Sequence, residues 1–219
     1  MGEVVVIATA IVAYLIGSIS SAVIISKMIS GRDIRDEGSG NAGATNMLRV
    51  HGKGAGAITL LIDALKGVVA ILLAFAFEAL LAKVAPDNAF VGNLKYIAGL
   101  FAVIGHDFPV FFKFRGGKGV ATSLGVILML NWLIGVMVLV IALLIMIISR
   151  YVSLGSVMAA VIYIIFILGY MFGERSFNVV WLVTASLMAI LLIAKHHANI
   201  KRLLNGTESK LFSKKEKDK

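Results

Sequence analysis

Long runs of Val, Ile, Leu, Ala and Met, broken by short polar or glycine-rich stretches, organise this sequence from end to end. A helix needs roughly 20 mostly apolar residues to cross a hydrocarbon layer about 30 Å thick, and several runs approach that length. They predict spans near 4–27, 57–82, 94–112, 119–134, 135–149, 153–173 and 178–195. The fourth and fifth divide the apolar stretch from Leu124 to Ile148, which together with its flanks is too long for one ordinary crossing. Asn131 and Trp132 supply the interfacial turn that separates them. The expected fold is all-α: a polytopic integral membrane protein of seven transmembrane helices, with residues 1–208 as a single domain and 209–219 as a basic polar tail lying near anionic headgroups. The start, Met1 to Glu3, has no basic segment, and the run from Val4 to Ile25 exceeds a signal-peptide core, so it reads as the first permanent span.

Composition narrows the picture. Hydrophobic residues make up 59% of the 219 and charged residues 15%, with a mean hydropathy of +0.95, outside the range of soluble globular chains. There is no cysteine, which excludes disulfides, thiolate catalysis and iron–sulfur or Cys-zinc sites. A net charge of +9 would suggest nucleic acid as partner on a soluble protein, but its placement gives a different account, and no nucleic acid is expected here. Of the 21 Lys and Arg, 17 fall in segments 27–53, 113–118, 150 and 195–219, which follow odd-numbered spans. Three (Lys83, Lys95 and Arg175) fall on the opposite side. The positive-inside rule then places the N-terminus outside and the C-terminus in the cytoplasm.

The chemistry gathers on that inner side. The first inner loop runs from Gly38 through Ser39, Gly40, Asn41, Thr45 and Asn46 to Arg49. Glycines let backbone N–H groups approach a ligand, the hydroxyls and amides add neutral hydrogen bonds, and Arg49 offers a planar fork for phosphate oxygens. A plain flexible connection between helices is the competing reading. In the second inner loop, Gly105-His106-Asp107 leads to Gly116-Gly117-Lys118-Gly119, and an apolar helix begins at Val120. A glycine-rich turn feeding a helix start makes an anion site, to which Lys118 adds a formal charge. The glycine spacing is not that of the nucleotide-binding P-loop, and a simple tight turn is the alternative. After the last span, His196 and Asn199 stand three apart on one helical face, with Arg202 one turn further on. Adjacent His196 and His197 point apart, which argues against a zinc pair, and no metal or other cofactor is expected. Asp63 and Lys66 lie three apart inside the second span, where ionisable groups imply function unless they merely neutralise each other.

These blocks resemble the bacterial acyl-phosphate:glycerol-3-phosphate acyltransferases, the PlsY family. The resemblance rests on Gly38 to Asn46 with Arg49, on Gly105 to Phe111 with Phe114 to Thr122, on His196 with Asn199 to Leu203, and on Asp63 to Gly67 in the second span. It covers nearly the whole chain in order. His197 departs from it, standing where an arginine is common.

The resemblance implies transfer of a fatty acyl group from acyl phosphate to the 1-hydroxyl of glycerol 3-phosphate, giving lysophosphatidate and phosphate in the first step of phospholipid synthesis. It also implies a bacterial inner (plasma) membrane enzyme with its site on the cytoplasmic side, acting as a monomer. An acyl phosphate is already activated, so no acyl-enzyme is required. None of the four histidines has an Asp five positions later, so the His–Asp arrangement of another acyltransferase family is missing. Ser39, Arg49, Lys118, His196 and Asn199 are the expected catalytic set. Gly40, Asn41, Thr45, Asn46, His106, Gly116, Gly117, Gly119 and Arg202 are expected to bind and position substrate phosphates, with Asp63 and Lys66 in support. Two assignments stand for His196: general base, or phosphate ligand with a substrate phosphate oxygen taking the proton. The resemblance favours the second. A transporter of a phosphorylated metabolite is the rival reading from another class; it would want polar groups running on to the outer face, where the segments are short and nearly featureless.

Because the chain lacks cysteine, single introduced thiols test the orientation directly. A membrane-impermeant maleimide added to intact cells is expected to label Asp87→Cys and to spare Lys53→Cys. The reverse pattern would invert the topology.

Overall fold

The computed structural model describes residues 1–211 as a bundle of nine α-helices. They are α1 (Gly2–Gly17), α2 (Ser21–Ser30), α3 (Ala44–Val84), α4 (Leu94–Asp107), α5 (Val120–Leu130), α6 (Trp132–Ser149), α7 (Val152–Gly173), α8 (Val179–Lys195) and α9 (His197–Leu204). Two short 3-10 turns, Ile34–Asp36 and Val110–Phe112, sit in the inner loops. Residues 212–219, most of the expected tail, lie outside the described residues. The tail's beginning is tied down, since Leu211 donates its backbone N–H to the Arg150 carbonyl at 2.6 Å.

Five stretches among the described residues are long and apolar enough to cross a membrane: Gly2–Ser30, Ala44–Val84, Leu94–Phe112, Trp132–Ser149 and Val152–Gly173. Val179–Lys195 and His197–Leu204, bent by 57°, make a sixth if taken as one broken span. The expected span at 119–134 is instead the 11-residue α5, about 16 Å long at 1.5 Å per residue and too short to cross alone. The break after it falls at Asn131, whose extended backbone ends α5 and whose side chain accepts from the Ile134 N–H at 3.1 Å to start α6. The second span begins earlier than its apolar run. Polar residues 44–54 continue the helix, and the kink sits at Gly52, whose φ of 88° lies in the left-handed region where glycine carries little strain.

Lipid tails are as apolar as leucine, so helices in a bilayer are held by close packing rather than by exclusion from water. The central helices meet at glycine. Gly17 of α1 lies against the Ala102 carbonyl of α4, and Gly105 of α4 against the Tyr14 carbonyl of α1. Gly67 of α3 lies against the Thr122 carbonyl of α5, and Gly125 of α5 against the Ala64 carbonyl of α3. At all four, a Cβ would overlap a backbone oxygen. α3 turns the buried stripe Thr59, Asp63, Lys66, Gly67, Ala70, Ile71 and Ala74 inward and leaves Leu60, Leu61 and Leu72 exposed, the spacing of one helical face. α6, α7 and α8 pack around this centre, α7 against both its neighbours.

Forcing a larger side chain into such a contact costs about 1–3 kcal/mol or more. Gly125→Val is therefore expected to lower the thermal unfolding temperature of the detergent-purified protein by several degrees, whereas Gly169→Val, with open space around its Cβ, should leave it within a degree or two. Equal melting of the two variants would contradict the packing described.

Candidate active site

The first inner loop is folded around Asn46. Its side chain is 1% exposed; its oxygen accepts from the Ser39 N–H at 2.9 Å and its amide donates to the Ile34 and Glu37 carbonyls at 3.1 and 3.0 Å. Both amide N–H groups and one lone pair of the oxygen are therefore spent on loop shape. This departs from the substrate-orienting role read from sequence. Ser39, Gly40, Thr45 and Arg49 are exposed around it, with Asn41 half-buried. Arg49 makes no hydrogen bond among the described residues.

Arg35, which the sequence did not single out, clamps this loop to the next one. It pairs with Asp33 at 2.7 Å and donates through Nη1 to the Phe112 and Arg115 carbonyls at 2.6 and 3.2 Å. The hydrogen bond from Arg35 holds the Asp33 carboxyl well below the usual range, at about 2, against the opposing effect of burial. Charge-assisted bonds of this kind are the strong ones. The signal for Arg35 in the sequence was only its place among loop cations.

The second loop is held from below by α4. Gly117 donates its N–H to the His106 carbonyl at 3.1 Å, and the space where its Cβ would stand is filled by His106 Nε2, with the Ala42 carbonyl of the first loop on its other side. Only glycine fits there. Gly116 is similarly enclosed by the His106 and Asp107 carbonyls, and Gly119 takes a φ of 72° to start α5. His106 is thus buried behind the turn rather than exposed to solvent.

Lys118 leaves this turn and donates to the Asn199 side-chain oxygen, joining the second loop to α9. Burial depresses its ammonium to about 8; the nearby Glu208 charge opposes that, and the charges of Arg202, Lys195 and Arg49 add to it. The four cations Lys118, Arg49, Lys195 and Arg202, from three remote stretches of chain, therefore gather within mutual electrostatic reach.

Asn199 also donates to Glu208 at 2.6 Å, and the same carboxylate accepts from Ser153 at 2.8 Å and pairs with Arg202 at 2.6 Å. Burial works to raise the Glu208 pKa, but these hydrogen bonds and the Arg202 charge prevail and lower it. Glu208 was missed at sequence level, where it looked like one more charge before the tail. His196 sits at the bend between α8 and α9, 3% exposed, with Nδ1 2.8 Å from the Leu192 carbonyl. Since a carbonyl only accepts, Nδ1 carries the proton and Nε2 presents a lone pair. His197 points away, exposed, to the Ala194 carbonyl.

Beside this polar junction opens an apolar cleft between α5, α6, α7 and α8. Val120, Leu124, Ala142, Ala160, Met188 and Leu192 are among the residues that line it. Val120 is two residues from Lys118 and Leu192 is the residue that binds His196, so the cleft adjoins the cluster of cations. Among the described residues, no group of His, Asp or Glu has the arrangement of a metal site.

Comparison with known proteins identifies the family. Residues 7–206 match the family model described as glycerol-3-phosphate acyltransferase. A glycerol-3-phosphate acyltransferase of Clostridioides difficile (strain 630) is 47% identical over 207 residues, 94% of this chain and 96% of its own. One from Thermoanaerobacter sp. (strain X514) is 43% identical over 209 residues, 95% and 96% of the two chains. Among solved structures, PlsY (YgiH), an integral membrane glycerol 3-phosphate acyltransferase, matches in its glycerol 3-phosphate form with a TM-score of 0.79 and 37% identity, covering 94% of this chain and 95% of that one. Its lysophosphatidic acid form matches with a TM-score of 0.75 and 35% identity, covering 94% of each. An integral membrane enzyme, and not the transporter weighed against it, is what likeness of this extent requires: the chain belongs to the glycerol-3-phosphate acyltransferase family.

Proposed function

We propose that this acyltransferase takes its acyl group from acyl phosphate and passes it to the 1-hydroxyl of glycerol 3-phosphate in one displacement, without an acyl-enzyme. The observation that carries the reading is the junction of Lys118, Asn199 and His196, which borders a cluster of cations on one side and an apolar cleft on the other. Such a site suits a substrate with a phosphate head and a hydrocarbon tail. The alkyl chain lies in the cleft, and the phosphates of donor and acceptor are held by Lys118, Arg49 and the N–H groups of the Gly116–Gly119 turn other than that of Gly117, with Ser39, Gly40, Asn41, Thr45 and Arg202 around them. Asp63 and Lys66 support the site from within the bundle.

The hydroxyl oxygen attacks the acyl carbon, the bond from that carbon to the phosphate oxygen breaks, and phosphate leaves with the electron pair. Lys118 stabilises the charge that grows on the leaving group, a contribution typically worth 10²–10³-fold when one such donor is removed. A substrate phosphate oxygen accepts the hydroxyl's hydrogen bond and takes its proton as the oxygen attacks; His196, whose Nε2 can only accept while Nδ1 holds the proton, lines the site beside it. Holding both reactants in line removes several kcal/mol of barrier by itself.

The chain crosses the membrane seven times in this reading, with α1 and α2 as one span and the short α5 as the fourth. The N-terminus faces outward, and residues 1–208 form one catalytic unit in the bacterial inner membrane, with the site toward the cytoplasm, where 17 of the 21 cations fall. The enzyme acts as a monomer and needs no metal or other cofactor.

Purified protein mixed with acyl phosphate and glycerol 3-phosphate is expected to yield lysophosphatidate and one equivalent of phosphate, and Lys118→Ala to lower kcat/KM by about 10²–10³-fold. Product formed equally well by Lys118→Ala would remove the phosphate role.

The depressed Lys118 pKa adds a pH dependence. Its cation is present below about 8 and is lost as pH rises through that value, so kcat/KM should fall on the alkaline side with a limb near 8. Lys118→Arg, which stays charged, should retain part of the activity and move that limb upward by a unit or more. A wild-type profile that is flat to pH 10 would overturn the assignment.

A further inference from the structure

Inside the bundle, one ring behind the turn that carries Lys118, Asp63 of α3 sits 2% exposed and faces three groups with one oxygen. Lys66 lies 2.9 Å away, one turn along the same helix. The Ser21 hydroxyl of α2 donates at 2.8 Å. His106 Nδ1, at the end of α4, lies 3.5 Å from the same atom, within charge-pair range, and has no hydrogen-bond partner among the described residues. Lys66 in turn donates to the Ile19 carbonyl at 3.0 Å, in the break between α1 and α2. One carboxylate therefore gathers α2, α3 and α4 at the depth where the substrate-facing loops begin.

The other edge of the His106 ring carries the consequence. Nε2 occupies the place where a Gly117 Cβ would stand, and the His106 carbonyl accepts the Gly117 N–H. The next residue is Lys118. From Asp63 to the anion-binding turn there is thus a single imidazole ring, which faces the carboxylate with one edge and Gly117 with the other. A carboxylate facing Nδ1 selects the tautomer and the plane of an imidazole, and that plane sets where the turn can rest.

We propose that Asp63 is a positioning residue for the Gly116–Gly119 turn, acting through His106, rather than only the neutralising partner of Lys66. The inference rests on the turn binding a substrate phosphate, as argued above. It separates two uses of an intramembrane ion pair. A pair that only cancels its own charge can be replaced by two neutral residues of similar size without functional loss, since such replacements are often neutral or stabilising. A pair whose carboxylate also orients a ring cannot.

The test is the doubly neutral variant Asp63→Asn with Lys66→Met, which leaves no unpaired charge in the bilayer, alongside His106→Gln. Each is purified and assayed with acyl phosphate and glycerol 3-phosphate, with wild type in parallel. The expected result is a rise of about tenfold in KM for at least one of the two phosphorylated substrates in both variants. kcat should fall by less than threefold and the unfolding temperature should stay near that of wild type. Combining all three changes should add little further, because residues acting in one chain are not additive. Wild-type KM values in the doubly neutral variant overturn the proposal, as do wild-type values in His106→Gln should the double variant not accumulate. An inactive wild-type enzyme would instead fault the choice of acyl donor.

Discussion

Contact between glycine and backbone carbonyl across the α3–α5 seam is the constraint from which the rest follows. In a bilayer no hydrophobic force drives one apolar helix against another, so the depth of approach is set by what stands in the way. At Gly67 and Gly125 nothing does, and α5 rests directly on α3 with its first turn fixed in height and rotation. Lys118 precedes that first turn by a single residue, so the seam also determines where the ammonium emerges. The equivalent contacts of Gly17 and Gly105 fix α4 on α1, and α4 holds the same turn from behind. A helix as short as α5, which could not stand alone across a bilayer, is kept in place by these contacts.

Polar groups are costly within such a bundle, and the protein places them in two layers with different work. The inner layer, Asp63, Lys66, Ser21 and His106, is closed and self-satisfying apart from the His106 Nδ1 contact, and joins helices. The layer at the surface is open. Among the described residues Arg49 and Lys118 have no direct carboxylate partner, and Glu208 is occupied by Ser153, Asn199 and Arg202. Uncompensated positive charge beside an apolar cleft is a poor arrangement for stability alone and a good one for an anionic head on a fatty chain.

Much of this was legible in the residues. The apolar runs located the helices, Asn131 marked the break between α5 and α6, and the motif blocks carried the family. Those signals are local: a run of leucines or an Asn with its cap reads the same in any context. Less legible were features whose meaning depends on a remote partner. Arg35 became a clamp only because the Phe112 and Arg115 carbonyls come to meet it, Glu208 became a hub only because α7 and α9 converge on it, and Asn46 was turned inward by bonds to its own loop. The shortness of α5 was hidden, because the apolar run continues past Asn131 to Ile134 while the helix ends after 11 residues at Leu130.

By itself the sequence determined that the chain is helical and membrane-embedded, that its cations crowd the ends on one side, and that a phosphate-binding vocabulary of glycine, lysine and arginine stands there. Hydrophobic period, charge count and residue type are properties of short windows, and so survive without coordinates. Only the tertiary structure decided which of those residues meet: that Lys118 reaches Asn199, that His106 turns its ring into the back of Gly117, and that the cleft opens beside His196. Such pairings join positions up to 81 residues apart, and what selects them is the steric fit of helix against helix, a quantity no single stretch of chain contains.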